Sequence, residues 1–258
     1  MLSRHALLLA WEFIRLRRNF EQYFEVVPAT TPELTDAAHR VRHQVYCREL
    51  GWEPVRPDGR ETDAYDPYSL HCLLRSVRTG EDVGCVRIIR AKPDEPAFLL
   101  PFERACANTL DRSIIDPQKL PRATIAEVSR LAVIGKYRRR QGEQQQRVAM
   151  SDADYGTFRQ PRFPYVPVGL YLGMLEMARL HTIDTLFILT EPWLAAHFGR
   201  LGVKMRQIGG PIEHRGLRVP SVMHVSEITR RMSFFIRPLY RSIAAKVQAA
   251  YARAPRPL

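Results

Sequence analysis

The sequence predicts a mixed α/β domain, a central sheet flanked by helices, and three observations predict it. A helix start is marked at Thr31-Pro32-Glu33. A strand hairpin is marked by two apolar runs, His71 to Val77 and Val83 to Ile89, around the turn Thr79-Gly80-Glu81-Asp82. Beyond them, strand-like and helix-like segments alternate to position 225, the pattern of a sheet covered by helices.

Taken in order, residues 5–20 have the pattern of an amphipathic helix, with Leu7, Trp11 and Ile14 on one face. Such a stripe suits either a membrane surface or docking on the chain's own domain. Tyr23 to Val27 is expected as a first strand. Thr31 offers an N-cap hydroxyl, Pro32 a preset first turn and Glu33 an acid near the helix N-terminus. Leu34, Ala37, Val41 and Val45 then carry an apolar stripe to about Leu50, with Arg42 and Tyr46 one turn apart beside it. A polar loop with three prolines runs from Gly51 to Ser69.

After the hairpin, Phe98 to Leu110 reads as a helix or irregular segment and Thr124 to Val133 as a strand. Residues 136–165 are charged and glutamine-rich with no clean period, a long insertion closed by Pro164 and Pro167. Gly169 to Leu180 is expected as a helix whose Gly169 and Gly173 let its backbone approach a neighbour. Thr185 to Leu189 is a short buried strand, Pro192 and Gly202 bracket a helix, and Met205–Ile208 with Ser221–Val225 forms a last strand pair. The expected organisation is a helix over 1–21, one domain over 22–226 with the 136–165 insertion, and a basic helix or tail over 227–258.

The 258 residues are 45% hydrophobic, enough for a substantial core. Lys and Arg number 39 against 27 Asp and Glu, a net charge of +12 that favours an acidic partner: nucleic acid, an anionic membrane surface or an acidic protein. No nucleic-acid motif accompanies the charge. After Glu227 the chain has no acid, while Arg230, Arg231, Arg237, Arg241, Lys246, Arg253 and Arg256 follow, so this segment reads as a basic arm. Cys47, Cys72, Cys85 and Cys106 form no CxxC pair and sit beside no histidine cluster, so reduced core thiols are expected rather than a zinc site, a disulfide framework or a nucleophile. The longest uninterrupted apolar run, Ala6 to Trp11, is far below the roughly 20 residues a bilayer span takes. A cytoplasmic location is therefore expected, with peripheral membrane contact through the termini as an option.

Three groups carry potential chemistry. Arg42, Tyr46 and Trp52 precede Glu61-x-Asp63-x-x-Asp66, a dense set of acids in a basic chain. These acids suit a cation, an ammonium group, the Arg42 guanidinium or a purely structural ion-paired loop; their spacing fits no Ca²⁺ loop, and no metal is expected. Gly84-Cys85-Val86-Arg87 sets an arginine in an apolar strand, where a charge demands a partner. Glu127-Val128-Ser129-Arg130 sets an acid and a base on another strand, with Glu127 and Ser129 on one side and Val128 and Arg130 on the other by alternation.

In this order and at these distances the series resembles the acyl-homoserine-lactone synthases and, equally, the related N-acyl amino acid synthases. Its layout is most similar to the acyltransferases associated with exosortase/PEP-CTERM protein-sorting systems. The resemblance covers about residues 22–226 and is specific in its N-terminal half. It implies a GNAT-like fold, an acyl carrier protein thioester as donor with no bound cofactor, and direct transfer to the amine of a small acceptor. Arg42, Trp52, Asp63, Asp66, Arg87, Glu127 and Arg130 match the family's functional positions, and Tyr46 stands where many relatives have phenylalanine; Glu127, Arg87 and Arg130 are expected in catalysis, and Arg42, Tyr46, Trp52, Glu61, Asp63, Asp66 and Ser129 in substrate binding. Glu127 would be the general base, its pKa raised by burial, with backbone N–H groups around Leu131 to Ile134 as oxyanion donors.

Two departures from ordinary GNAT enzymes bear on the donor. Tyr137-Arg138-Arg139-Arg140-Gln141-Gly142 begins like a pyrophosphate cradle but lacks the glycine continuation, which suits a carrier protein over coenzyme A and leaves Arg138, Arg139 and Arg140 to meet an acidic carrier. Before Leu201-Gly202-Val203, the position where relatives place a thiolate-protonating tyrosine holds Phe198, next to His197. The rival readings are a lactone synthase using S-adenosylmethionine and a non-catalytic binder of acyl chains or nucleic acid.

Overall fold

The computed structural model describes residues 16–138, 165–192, 194–195, 199 and 203–254. The insertion beyond Arg138, together with Arg139, Arg140, His197, Phe198, Leu201 and Gly202, lies outside the described residues, as do residues 5–15 of the helix expected over 5–20. Helix α1 (16–23) leads into β1 (Phe24–Pro28), one residue later than the sequence places it. Helix α2 (Pro32–Arg42) starts as expected: the Thr31 hydroxyl accepts the Leu34 N–H and Pro32 occupies the first turn. It continues as a π-helical segment, His43–Glu49, which delivers the chain to Leu50.

Strands β2 (Ser69–Ser76) and β3 (Asp82–Arg90) form the expected hairpin. A short helix α3 (Pro101–Ala105) precedes β4 (Ile125–Val133), which is followed by α4 (Gly135–Arg138). Helix α5 (Tyr165–Leu180) begins four residues earlier than expected, because Pro167 falls in its first turn, where no hydrogen bond is lost. Strand β5 (Thr185–Thr190) follows, then β6 (Arg206–Gln207), β7 (Ile212–Glu213) and β8 (Leu217–His224). The order across the sheet is β1-β2-β3-β4-β5-β8-β6, with β7 pairing β8; among the described residues only β4 and β5 run parallel.

Two apolar layers clamp this sheet. On one face Val26, Cys72, Leu74, Val86, Ile88, Ala126 and Val128 pack beneath α5 and the C-terminal helices. On the other, Leu73, Cys85 and Ala132 meet Ala38, Val41, Val45 and Tyr46 from α2 and its π-helical extension. The expected close approach at the α5 glycines is real. A Cβ on Gly169 would lie 2.6 Å from the Phe20 ring, and one on Gly173 2.5 Å from Val26 Cγ1 and 2.9 Å from Cys72 Sγ. Gly173→Ala is expected to cost roughly 1–3 kcal/mol by overpacking, read as a lowered melting temperature.

The basic segment after Glu227 is not a free arm. It forms α6 (Val225–Arg231) and α7 (Arg237–Arg253). Leu239, Ile243 and Val247 recur every four residues, so one face of α7 is apolar and buried in the α5 layer. Tyr240 and Gln248 donate to the fully buried Glu176 of α5 (2.7 Å each), which Arg179 also pairs. Cationic charge alone gives no sign of this docking; the four-residue apolar repeat does. No helix among the described residues is long and apolar enough to cross a membrane.

Candidate active site

The sheet opens where β4 and β5 part. Their pairing runs from Ile125–Thr185 to Val128–Ile188, and beyond that point β4 stays bonded to β3 alone. A cavity of about 260 Å³ lies at this splay. Its wall contains Tyr46, Trp52, Asp63, Arg87, Glu127, Ser129 and Arg130, bringing together seven of the residues singled out from the sequence. A larger groove of about 500 Å³ beside β6 and β8 holds Lys204 as its one ionisable side chain among the described residues.

Strict alternation on β4 fails at Arg130. Between the pairs Arg87–Ser129 and Cys85–Ala132, β4 spends one residue more than β3. That residue is Arg130, held at φ 50°, the left-handed region that an arginine rarely adopts. The bulge turns Arg130 onto the face of Glu127 and Ser129 instead of the opposite face. Its guanidinium reaches Glu61 (3.0 Å), Glu53 (3.3 Å) and Asp63 (3.4 Å).

Around it runs a buried network of arginines and carboxylates. Arg42, fully buried, donates to Glu61 Oε2 (2.5 Å) and to both oxygens of Asp66 (2.5 and 3.1 Å). Arg87 donates to Asp63 (2.7 Å), Asp66 (2.9 Å) and the Ser129 hydroxyl (3.0 Å). Arg215 completes it through Glu53 (2.5 Å). Glu61 and Asp66 are thereby saturated. With Arg42 they stand behind the cavity wall rather than in it, unlike Asp63, and take the ion-paired arrangement with Arg42 that the sequence also allowed: two opposed charges buried together satisfy each other first. They position Arg87 and Arg130, which do face the cavity.

Burial pushes the Glu61 carboxyl upward, but the Arg42 and Arg130 guanidiniums outweigh it and hold it at about 2. Asp66 is depressed further: burial again raises it, and His39, Arg42 and Arg87 more than reverse that. Both folded-state values lie below the unfolded ones, so the stability they contribute is present at neutral pH and is lost as pH falls. The protein is expected to unfold progressively below about pH 4, followed by circular dichroism, and Glu61→Gln is expected to flatten that dependence.

Glu127 stands apart from the network. Among the described residues no guanidinium hydrogen-bonds it. Its carboxylate accepts the Phe102 backbone N–H (2.8 Å), a first-turn donor of α3 that the helix itself leaves unused. Glu103 fixes that turn by accepting the Leu100 N–H (2.9 Å) while pairing with Arg122 (3.0 Å). The Phe102 ring stacks on Phe187 of β5 (centroids 4.5 Å apart), roofing Glu127 with apolar surface. Burial therefore raises the Glu127 carboxyl to about 8, against the opposing Phe102 N–H and the Arg87 charge.

The aromatic wall is also ordered. Tyr46 stacks on Trp52 (5.9 Å), and the Tyr46 hydroxyl donates to the Leu131 carbonyl (3.0 Å). One expected oxyanion donor is excluded, because the Ile134 N–H donates to the Val83 carbonyl (2.9 Å). Phe102, Tyr65, Leu189 and the β7–β8 residues His214, Arg215 and Arg218 also line the cavity and were missed from sequence. The Arg215-Gly216-x-Arg218 turn carried a signal, basic residues at a tight hairpin; the others carried none. Lys136 and Tyr137 of α4 both bond Glu81.

All four cysteines are free and buried, and burial raises each thiol. His39, His71 and Asp66 offer three clustered ligand atoms, and the two imidazole Nε2 atoms are buried without hydrogen bonds. A cation there would meet the Arg42 and Arg87 guanidiniums already on Asp66 Oδ1, so the donor set disfavours a metal. His71 is held neutral near pKa 3 by burial and by Arg42.

The sheet order, the single parallel pair and the splay define a GNAT-like acyltransferase fold. Residues 41–146 match the family model described as an acetyltransferase (GNAT) domain. Among solved structures the chain resembles TofI in a ternary complex with an inhibitor and MTA (19% identity, TM-score 0.54, 78% of this chain and 91% of that one). It also resembles BjaI, a CoA-dependent acyl-homoserine lactone synthase, with SAM and isopentyl-CoA (18%, 0.52, 88% and 89%). FeeM, an N-acyl amino acid synthase from uncultured soil microbes, is similar at 17% identity and TM-score 0.51 over 81% of this chain and 94% of that one. No curated protein sequence matches it significantly.

Proposed function

We propose that the chain is an N-acyltransferase that moves a fatty acyl group from an acyl carrier protein to the amine of a small acceptor, an amino acid or a related molecule. The observation that carries this reading is Glu127: a buried carboxyl raised to about 8 by its surroundings, bonded to no arginine among the described residues, at the mouth of the β4–β5 splay. A carboxyl so tuned takes a proton from an ammonium group near neutral pH, which an ordinary glutamate does poorly.

In this reading the acceptor nitrogen, losing its proton to Glu127, attacks the thioester carbonyl carbon. The negative charge gathers on the carbonyl oxygen, where β4 backbone N–H groups past Val128 stabilise it. The C–S bond then breaks, the departing thiolate takes up the second proton of the nitrogen, and amide and thiol are released. Arg87 and Arg130 supply positive potential to the same cavity, while Asp63, Tyr46, Trp52 and Ser129 hold the acceptor in line. Arg138, Arg139 and Arg140 would receive the acidic carrier. The assignment to the acyltransferases associated with exosortase/PEP-CTERM systems, made on sequence layout, belongs to the same proposal, as does a cytoplasmic location.

Thiol release from acyl carrier thioesters and acyl-coenzyme A, with panels of amines from pH 6 to 9.5, tests it. At limiting substrate, the rate is expected to climb as Glu127 loses its proton, with an apparent pKa near 8, and to level above it. A rate independent of pH across that range contradicts the role given to Glu127. Formation of methylthioadenosine from S-adenosylmethionine in the same mixtures would instead establish lactone synthesis.

A further inference from the structure

The connection between α6 and α7 exposes aromatic surface where a folded domain ordinarily hides it. Phe234 is 81% exposed and Phe235 47%, their rings in edge contact at 5.8 Å, at the tip of a short turn after Met232 and Ser233. The flanking residues Met232 and Ile236 are buried in the α5 layer, so the turn is anchored from below while the Phe234 ring projects beside the half-exposed Phe235. Arg237 fixes it from the side by donating to the Arg230 and Met232 carbonyls (3.3 and 3.1 Å).

The charge around this tip is predominantly positive; Glu21, which meets Ser242 beside Arg241, is itself paired with Arg17 (3.6 Å). Arg230, Arg231 and Arg241 are exposed, and no acid follows Glu227 in the sequence. Glu227 itself is met by Arg231 (3.2 Å) and Lys204 (3.8 Å), so its negative charge is offset locally. Projecting aromatic rings inside a collar of arginines match the layering of an anionic bilayer, with an apolar interior beneath a negative headgroup plane.

We infer that the Phe234–Phe235 turn is a membrane-docking tip, inserting into the interface of an anionic lipid bilayer with Arg230, Arg231 and Arg241 on the headgroups. Its position favours lipid over an acyl carrier protein. The tip belongs to the α5 layer, whereas Glu127, Arg87 and Arg130 open on the opposite face of the sheet. The chain also leaves β8 toward α6 at His224, opposite Thr185 at the start of β5, while the splay opens at the other end of that strand. A carrier seated on the tip would hold its thioester away from the cavity. The inference does not depend on which acyl group or acceptor the cavity takes.

Flotation of the full chain with vesicles of phosphatidylcholine alone, or with added phosphatidylglycerol, tests it. Binding is expected only with the anionic lipid, weakened at high salt. It is expected to fall roughly tenfold in the Phe234→Ser/Phe235→Ser variant and several-fold in Arg230→Gln/Arg231→Gln/Arg241→Gln. Thermal melts confirm that each variant is folded, which exposed positions permit, and Phe234→Ser alone serves if the double variant is not. The inference is overturned if the wild-type chain does not float, or if the folded phenylalanine variant floats as well as wild type. It is equally overturned if the serine changes abolish only self-association or carrier-protein binding while flotation persists.

Discussion

Glu127→Gln is expected to abolish acyl transfer and, at alkaline pH, to make the protein more stable. The two effects share one cause. Burial beneath Phe102 and Phe187 raises the Glu127 carboxyl to about 8, whereas the unfolded chain ionises it near 4.5. Between those values the folded state holds a proton that the unfolded state has released, so stability falls as pH rises through this window and levels off above it. The accumulated penalty at pH 9 is on the order of 3–5 kcal/mol, since each pH unit between the folded and unfolded values is worth about 1.4 kcal/mol. Glutamine keeps an oxygen for the Phe102 N–H and carries no charge to bury, so it removes the penalty. It also takes up no proton, so the amine stays protonated and unreactive. Denaturant unfolding at pH 5 and pH 9 checks the stability: wild type is expected to lose midpoint between them relative to the variant. Equal pH dependence in both proteins contradicts the assignment.

Arg42→Ala is expected to be the most damaging single substitution in the buried network, at roughly 3–5 kcal/mol, the range for stripping one partner from a buried ion pair. Arg42 has no solvent exposure and holds Glu61 and Asp66 at once, so its loss leaves two carboxylates without their nearest counter-charge. Asp66→Asn is expected to cost less, because the amide oxygen still accepts from Arg42 or Arg87. If both variants fold, they should share a lowered kcat with their Arg87 and Arg130 displaced. A melting temperature for Arg42→Ala within two degrees of wild type contradicts the network's supporting role.

Much of this architecture was legible because it rests on local rules. Thr31 and Pro32 start α2 whatever surrounds them, the turn at Gly80 closes the β2–β3 hairpin, and the α5 glycines announced a close backbone approach, which the structure makes against Phe20, Val26 and Cys72. The ion-pairing of Arg87 also followed from one fact, that a charge in an apolar strand needs a partner. Harder to foresee was anything that depends on register. The bulge that turns Arg130 onto the Glu127 face exists only in the pairing of β3 with β4, and alternation along one strand gives the opposite side. That Arg42, Glu61 and Asp66 lie behind the wall while Asp63 lies in it depends on how the 51–68 loop folds back. The contribution of Arg215, in the turn after the two-residue strand β7, and of Arg218, at the start of β8, depends on a hairpin that no periodicity marks. The docking of α7 was readable in Leu239, Ile243 and Val247, but the run of basic residues masked it.

The measurement closest to the central claim is mass spectrometry of organic extracts from cells overproducing the wild-type chain or Glu127→Gln at equal levels. The account predicts a family of N-acylated amines, differing by acyl chain length and sharing one acceptor, present with wild type and absent with the variant. Identical extracts from both, or the same amides made by Glu127→Gln, would contradict it.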